Sequence, residues 1–242
     1  MPVNYPDRGT APIAVALDAP DLEVLRAWAM AVAPVVSCLK VGLEAFCRDG
    51  HRSVETARAA ADAVGCTDID IFLDLKLHDI PATVAGAARA VGALEPTYLT
   101  VHASGGPEMI QAAALALPGT RITAVTVLTS VDEQMIDHLG IEGTAQDIVL
   151  RWAQIAVDAG ARALVCSPKE VAALRGIVPP DVHLITPGVR PAGADTHDQR
   201  RSATPRQALA DGADLLVIGR PITGQPDPRA AARALAAECA TR

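Results

Sequence analysis

Eight short apolar runs with strand character recur along this chain, separated by helix-length stretches rich in alanine. No other feature of the sequence narrows the possible folds as much. The runs are IAVALD (13–18), CLKVG (38–42), DIFLDLKL (70–77), YLTVHAS (98–104), RITAVTVLTS (121–130), ALVCSP (163–168), HLITPG (183–188) and LLVIGR (215–220). Strand then helix, repeated, implies parallel pairing, and eight such units in 242 residues is the count of a closed (β/α)8 barrel, the TIM-barrel architecture. An open doubly wound sheet is the competing arrangement. Its glycine-rich dinucleotide turn is missing after the first run, where the sequence reads LDAPDLE (17–23). No shift of composition and no Gly/Ser-rich linker divides the chain, so residues 1–242 are expected to form one domain, with 1–12 as an N-terminal extension.

Composition excludes several function classes. A formal charge of −7 provides no basic face for nucleic acid or an anionic membrane, although a local cluster of cations could still hold a small anion. The five cysteines are scattered and odd in number, without a C-x-x-C pair, which argues against both a disulfide framework and a zinc site. The first dozen residues have neither the basic nor the apolar region of a secretory leader, and no apolar run approaches the roughly 18 residues that span a bilayer. A soluble cytoplasmic protein is expected.

The chemistry-bearing residues gather where the predicted strands end. Side chains alternate across a strand, so on the third run Ile71, Leu73, Leu75 and Leu77 should face the helices. Phe72, Asp74, Lys76 and His78 should then face the barrel interior. A buried Asp/Lys pair is by itself compatible with a structural ion pair. Asp18 at the end of the first run and Lys40 within the second bring further charges to the same rim, and Asp79 follows at the turn. Taken singly, Asp18 or Lys40 is a strand-end cap or a solvated charge. Together, Asp18, Lys40, Asp74, Lys76 and Asp79 alternate in sign, so each charge can have an opposite neighbour, with Lys76 placed as a proton donor. Two long connections, 130–145 and 188–203, should emerge at the same face. After the seventh and eighth runs, Gly188, Arg190, Gln199, Gly219 and Arg220 supply the glycines and cations of a phosphate grip.

The run DLKLHDIPATV (74–84) resembles the D-x-K-x-x-D-I-P-x-T signature of the orotidine 5′-phosphate decarboxylases. Around it ALD at Asp18, LKVGLE with Lys40, VLTS, TPGVRP, the DQ at 198–199 and VIGRPI follow in that family's order. The resemblance implies a (β/α)8 barrel that decarboxylates orotidine 5′-monophosphate to UMP, the last step of de novo pyrimidine synthesis, as a homodimer without metal or organic cofactor. It implies Lys76 as the proton donor to C6, Asp74 facing the substrate carboxylate, and Asp79 and Thr83 arriving from the partner chain. It further implies Asp18 and Lys40 on the ribose, Thr129 and Ser130 on the pyrimidine, and Gln199, Gly219 and Arg220 on the phosphate, with Arg190 at the base of the mobile loop. Two other functions remain open at this point. One is a Mg2+-dependent sugar-phosphate decarboxylase or aldolase on a related barrel, for which Glu44 would be an added ligand although Lys40 stands where a ligand is wanted. The other is a non-catalytic sensor of a phosphorylated ligand.

Overall fold

In the computed structural model, residues 10–190 and 203–240 are described. Their eight strands close into a parallel barrel in sequence order. The strands are β1 (Ala11–Ala16), β2 (Val36–Gly42), β3 (Asp70–Leu77), β4 (Tyr98–His102), β5 (Arg121–Val125), β6 (Ala163–Val165), β7 (His183–Pro187) and β8 (Leu215–Ile218). Each of the eight apolar runs contains one strand, but their edges move. β1 begins at Ala11, inside the stretch expected to be extension, and ends before Asp18. β5 stops at Val125, so VLTS belongs to a turn rather than to the strand. The connection 130–145 holds the short helix Glu133–His138.

Helix starts follow local chemistry. Asp21 caps Leu22–Val32 by accepting the Val24 N–H at 2.8 Å, and Thr144 forms a capping box with Asp147 ahead of Ala145–Asp158. Proline begins Pro81–Val91, Pro107–Ala116 and Pro205–Ala210, where its missing N–H costs nothing. Alanines such as Ala29, Ala57, Ala61, Ala88, Ala113, Ala153 and Ala156 are buried on the inner helix faces and let the helices settle closely on the strands. Among the described residues no helix is long and apolar enough to cross a membrane.

The main apolar core therefore lies between strands and helices, with Ile71, Leu73, Leu99, Ile122, Leu164, Leu184 and Leu216 pointing outward into it. A second, smaller cluster fills the barrel itself: Ala14, Cys38, Phe72, Tyr98, Ala163, Ile185 and Leu215. Small residues on β1, β2 and β6 leave room for the two rings, which meet edge to face with centroids 5.7 Å apart. At the N-terminal end, the Tyr98 hydroxyl and His183 Nδ1 share a 2.9 Å hydrogen bond, and the Arg121 guanidinium lies over the Tyr98 ring. Burial lowers the His183 pKa, and the Arg121 charge adds to the effect. This end is a packed floor. At the opposite end the inward positions become charged.

Candidate active site

Two residues along each inward face from that interior cluster, the chemistry changes. On β2, Cys38 gives way to Lys40 and then Gly42; on β3, Phe72 gives way to Asp74; on β4, Tyr98 gives way to Thr100 and then His102. The register sets Lys40 beside Phe72 and Gly42 beside Asp74, so the Lys40 side chain extends past Gly42 to reach the level of Asp74. Lys40 Nζ lies 3.2 Å from Asp74 Oδ2 and 3.6 Å from Asp18 Oδ1, and Lys76 Nζ lies 2.7 Å from Asp74 Oδ1. Asp18, Lys40, Asp74 and Lys76 thus form one chain of alternating sign, as their order on the strands implied.

Asp74 sits at its centre and is nearly buried. Burial pushes its carboxyl pKa up, but the ammoniums of Lys40 and Lys76 outweigh burial, and the net displacement is downward. Gly42 makes the arrangement possible. A Cβ there would stand 2.6 Å from Asp18 Oδ1 and 2.7 Å from Lys40 Nζ, inside the space the ion pair occupies.

Lys76 departs from simple alternation. Its φ is +50°, in the left-handed region, and Glu95 is the only other non-glycine residue with positive φ among the described residues. Between Leu73 and Leu77 the register with β4 slips, so four steps on β3 match two on β4. The expectation that Phe72, Asp74, Lys76 and His78 share one inward face therefore fails at its last member. His78 is exposed, and its ring lies 5.3 Å from that of His102, whose pKa is lowered by burial and by the neighbouring His78 and Lys76. Thr100, which sequence reasoning did not single out, is fully buried and bonds to both Lys76 and Asp74. Its signal was present: it is the inward residue of β4 between Tyr98 and His102.

Beside the charges lies a cavity of about 190 Å³, with Phe72, Asp74 and Lys76 on one side and Val125, Val165, Cys166, Pro187 and Val217 on the other. Thr129 lines it, whereas Ser130 is exposed in the same turn and is not among the lining residues. Asp79 does not join the charge chain of its own subunit. It is exposed, with its carboxylate accepting the Ile80 N–H at 2.6 Å. Ile80 is 66% exposed, and Thr83 is exposed one turn into the next helix. Glu44 is exposed on the helix Leu43–Asp49, and no group of three His, Cys, Asp or Glu side chains gathers as a metal site among the described residues.

At the ends of the adjacent strands β7 and β8, Gly188 takes a φ of +82° that favours glycine. Arg190 is buried, and its N–H bonds to the Ala203 carbonyl at 3.0 Å, joining the two flanks of the 188–203 connection. Gly219 links β8 to the short helix Arg220–Thr223, and the Arg220 side chain is exposed. Gln199 lies outside the described residues.

A family profile described as "Orotidine 5'-phosphate decarboxylase / HUMPS family" matches residues 11–235. The chain belongs to this family. A relative from Thermobifida fusca, named orotidine 5'-phosphate decarboxylase, is 64% identical over 94% of this chain and 95% of its own length. One of the same name from Frankia casuarinae is 54% identical over 96% of this chain and 89% of its own. Among solved structures, an orotidine 5'-phosphate decarboxylase from Lactobacillus acidophilus superposes with a TM-score of 0.80 at 34% identity, covering 96% of this chain and all of that one. That from Pyrococcus horikoshii, at 23% identity and a TM-score of 0.76, shares the family's fold.

Proposed function

We infer that this protein decarboxylates orotidine 5′-monophosphate to UMP and CO2 in pyrimidine biosynthesis. The observation that carries the chemistry is the chain Asp18, Lys40, Asp74, Lys76 at the C-terminal rim, set against a cavity walled by apolar side chains. Breaking the C6–carboxylate bond leaves its electron pair in an sp2 orbital that the pyrimidine cannot delocalise, so charge placement must provide the stabilisation. Lys76 meets the developing carbanion with its ammonium and passes a proton from Nζ to C6. Asp74 faces the departing carboxylate and holds Lys76 through the 2.7 Å bond between them. The ion pair of Asp18 and Lys40 meets the ribose hydroxyls, and Thr129 and Ser130 meet the base. Arg190, Gln199, Gly219 and Arg220 take the phosphate, whose binding energy serves to organise the distant reacting centre.

The whole chain works as one domain in the cytoplasm, without metal or organic cofactor, and as a homodimer whose subunits exchange Asp79 and Thr83. The exposure of Asp79, Ile80 and Thr83 beside the rim, outside their own subunit's charge chain, supports that exchange. Loss of pyrimidine absorbance on adding orotidine 5′-monophosphate to EDTA-treated protein tests the reaction and its metal independence together. No turnover would overturn the reading. Sharing is tested by mixing inactive Lys76→Ala with inactive Asp79→Ala protein. With random exchange about half the dimers are mixed, each with one intact site, so about a quarter of wild-type activity should return. Mixed dimers that form and stay inactive would show that Asp79 does not serve its neighbour.

A further inference from the structure

We propose that Thr100 is a positioning residue for this reaction, holding the backbone of Lys76 and the carboxylate of Asp74 with one hydroxyl. The proposal rests on the decarboxylase reading for its kinetic consequence, although its geometric content is independent of it.

The reasoning begins with the slip between β3 and β4. Where the register advances four residues on one strand for two on the other, the Lys76 amide leaves the ladder. A half-buried N–H without a strand partner needs another acceptor, from the protein or from water. Thr100 provides it: the Lys76 N–H donates to Thr100 Oγ1 at 2.7 Å. A hydroxyl has a single proton, and with its oxygen accepting from Lys76 that proton is directed to Asp74 Oδ1, 3.1 Å away. The same Oδ1 accepts Lys76 Nζ at 2.7 Å. The hydrogen bonds therefore form a ring that leaves Lys76 through its amide, passes through Thr100 and Asp74, and returns to the lysine at its ammonium.

The ring explains how Lys76 keeps a backbone conformation that residues with a Cβ rarely adopt. It also ties that conformation to the direction of the side chain, because one carboxylate oxygen receives both the hydroxyl and the ammonium. Thr100 is completely buried, so no solvent molecule can take the place of the hydroxyl without rearrangement. Thr100 is not among the residues lining the cavity, and its effect on the reaction passes through Lys76 and Asp74.

Thr100→Val keeps the shape of the side chain and deletes the hydroxyl; Thr100→Ser keeps the hydroxyl and deletes the methyl. In the full-length protein Thr100→Val should lower kcat by about thirtyfold, the effect of deleting the hydroxyl that ties the half-buried amide of the reacting lysine to Asp74. KM and the affinity for UMP should stay within about threefold, since neither depends on the lysine's aim. Thr100→Ser should retain kcat within about threefold of wild type. Two results would overturn the proposal: Thr100→Val turning over at the wild-type rate, or Thr100→Ser falling as far as Thr100→Val, which would assign the role to methyl packing.

Should Thr100→Val fail to fold, hydrogen exchange of the wild-type Lys76 amide decides. Strong protection supports the bond to Thr100, and exchange at the rate of a free loop amide refutes it. If the wild-type protein does not decarboxylate orotidine 5′-monophosphate, the functional reading falls. The amide measurement then still decides whether Thr100 holds Lys76.

Discussion

Lys40 holds Asp74 from the side opposite Lys76, and replacing it tests the electrostatics of the whole site. Lys40→Met preserves much of the aliphatic stem and removes the ammonium. The two side chains are 9% and 12% exposed, so their 3.2 Å pairing lies largely out of water. At an effective dielectric of about 20 the lost attraction is about 5 kcal/mol, and about 1 kcal/mol if water floods the gap. At about 1.36 kcal/mol per unit, the Asp74 midpoint should rise by between ~1 and ~4 pH units. The sign follows from the native state. Asp74 titrates below its ordinary range, so its ionised form contributes stability above pH ~4 that is lost as pH falls through the lowered value. In Lys40→Met, burial is opposed by one ammonium instead of two, and the loss begins at higher pH. A carboxyl-carbon NMR titration of aspartate-labelled protein, with the Asp74 signal assigned by its absence in Asp74→Asn, measures both midpoints. Identical midpoints in wild type and Lys40→Met would refute the view that Lys40 sets the charge state of Asp74.

Two further outcomes are expected. Gly42 has an extended backbone, φ −101°, that alanine could adopt, so Gly42→Ala should act through its methyl group, which would intrude between Asp18 and Lys40. A fall in kcat/KM of about tenfold or more, with little change in thermal midpoint, is expected, and unchanged kinetics would show that the pair tolerates displacement. Arg220→Ala should weaken UMP binding by about ten- to a hundredfold and uridine binding hardly at all, as loss of a charged phosphate contact requires. Calorimetry that found equal losses for both would place Arg220 away from the phosphate.

The fold was legible because each of the eight apolar runs announces one strand and the alanine-rich intervals announce the helices. Strand edges were less legible. Thr126, Val127 and Leu128 have the composition of strand continuing from Val125, yet the chain turns there. The charge chain was legible from period-two alternation, which placed Lys40 and Asp74 correctly. It failed at His78, beyond a register slip and a left-handed Lys76 that are set by the facing strand rather than by local sequence. Gly42 and Thr100 escaped notice for a related reason: each matters through atoms brought by another strand. Asp79 was expected from its place at the turn to join the network of its own chain, which it does not. Its role in a neighbouring subunit, like that of Thr83, came from family resemblance, and no pattern within one chain could have indicated it.

The hydrogen bond between Tyr98 and His183 has a bearing on how barrels of this kind can be recombined. β4 closes the first half of the ring and β7 belongs to the second, so the bond crosses the interior instead of running along the sheet. Each half therefore carries one part of a matched pair, and His183 in a half-barrel lacking Tyr98 would lose this hydrogen bond. Grafting either half onto a foreign one would require the donor and acceptor to travel together, which makes this crossbar a compatibility lock between modules that otherwise look interchangeable.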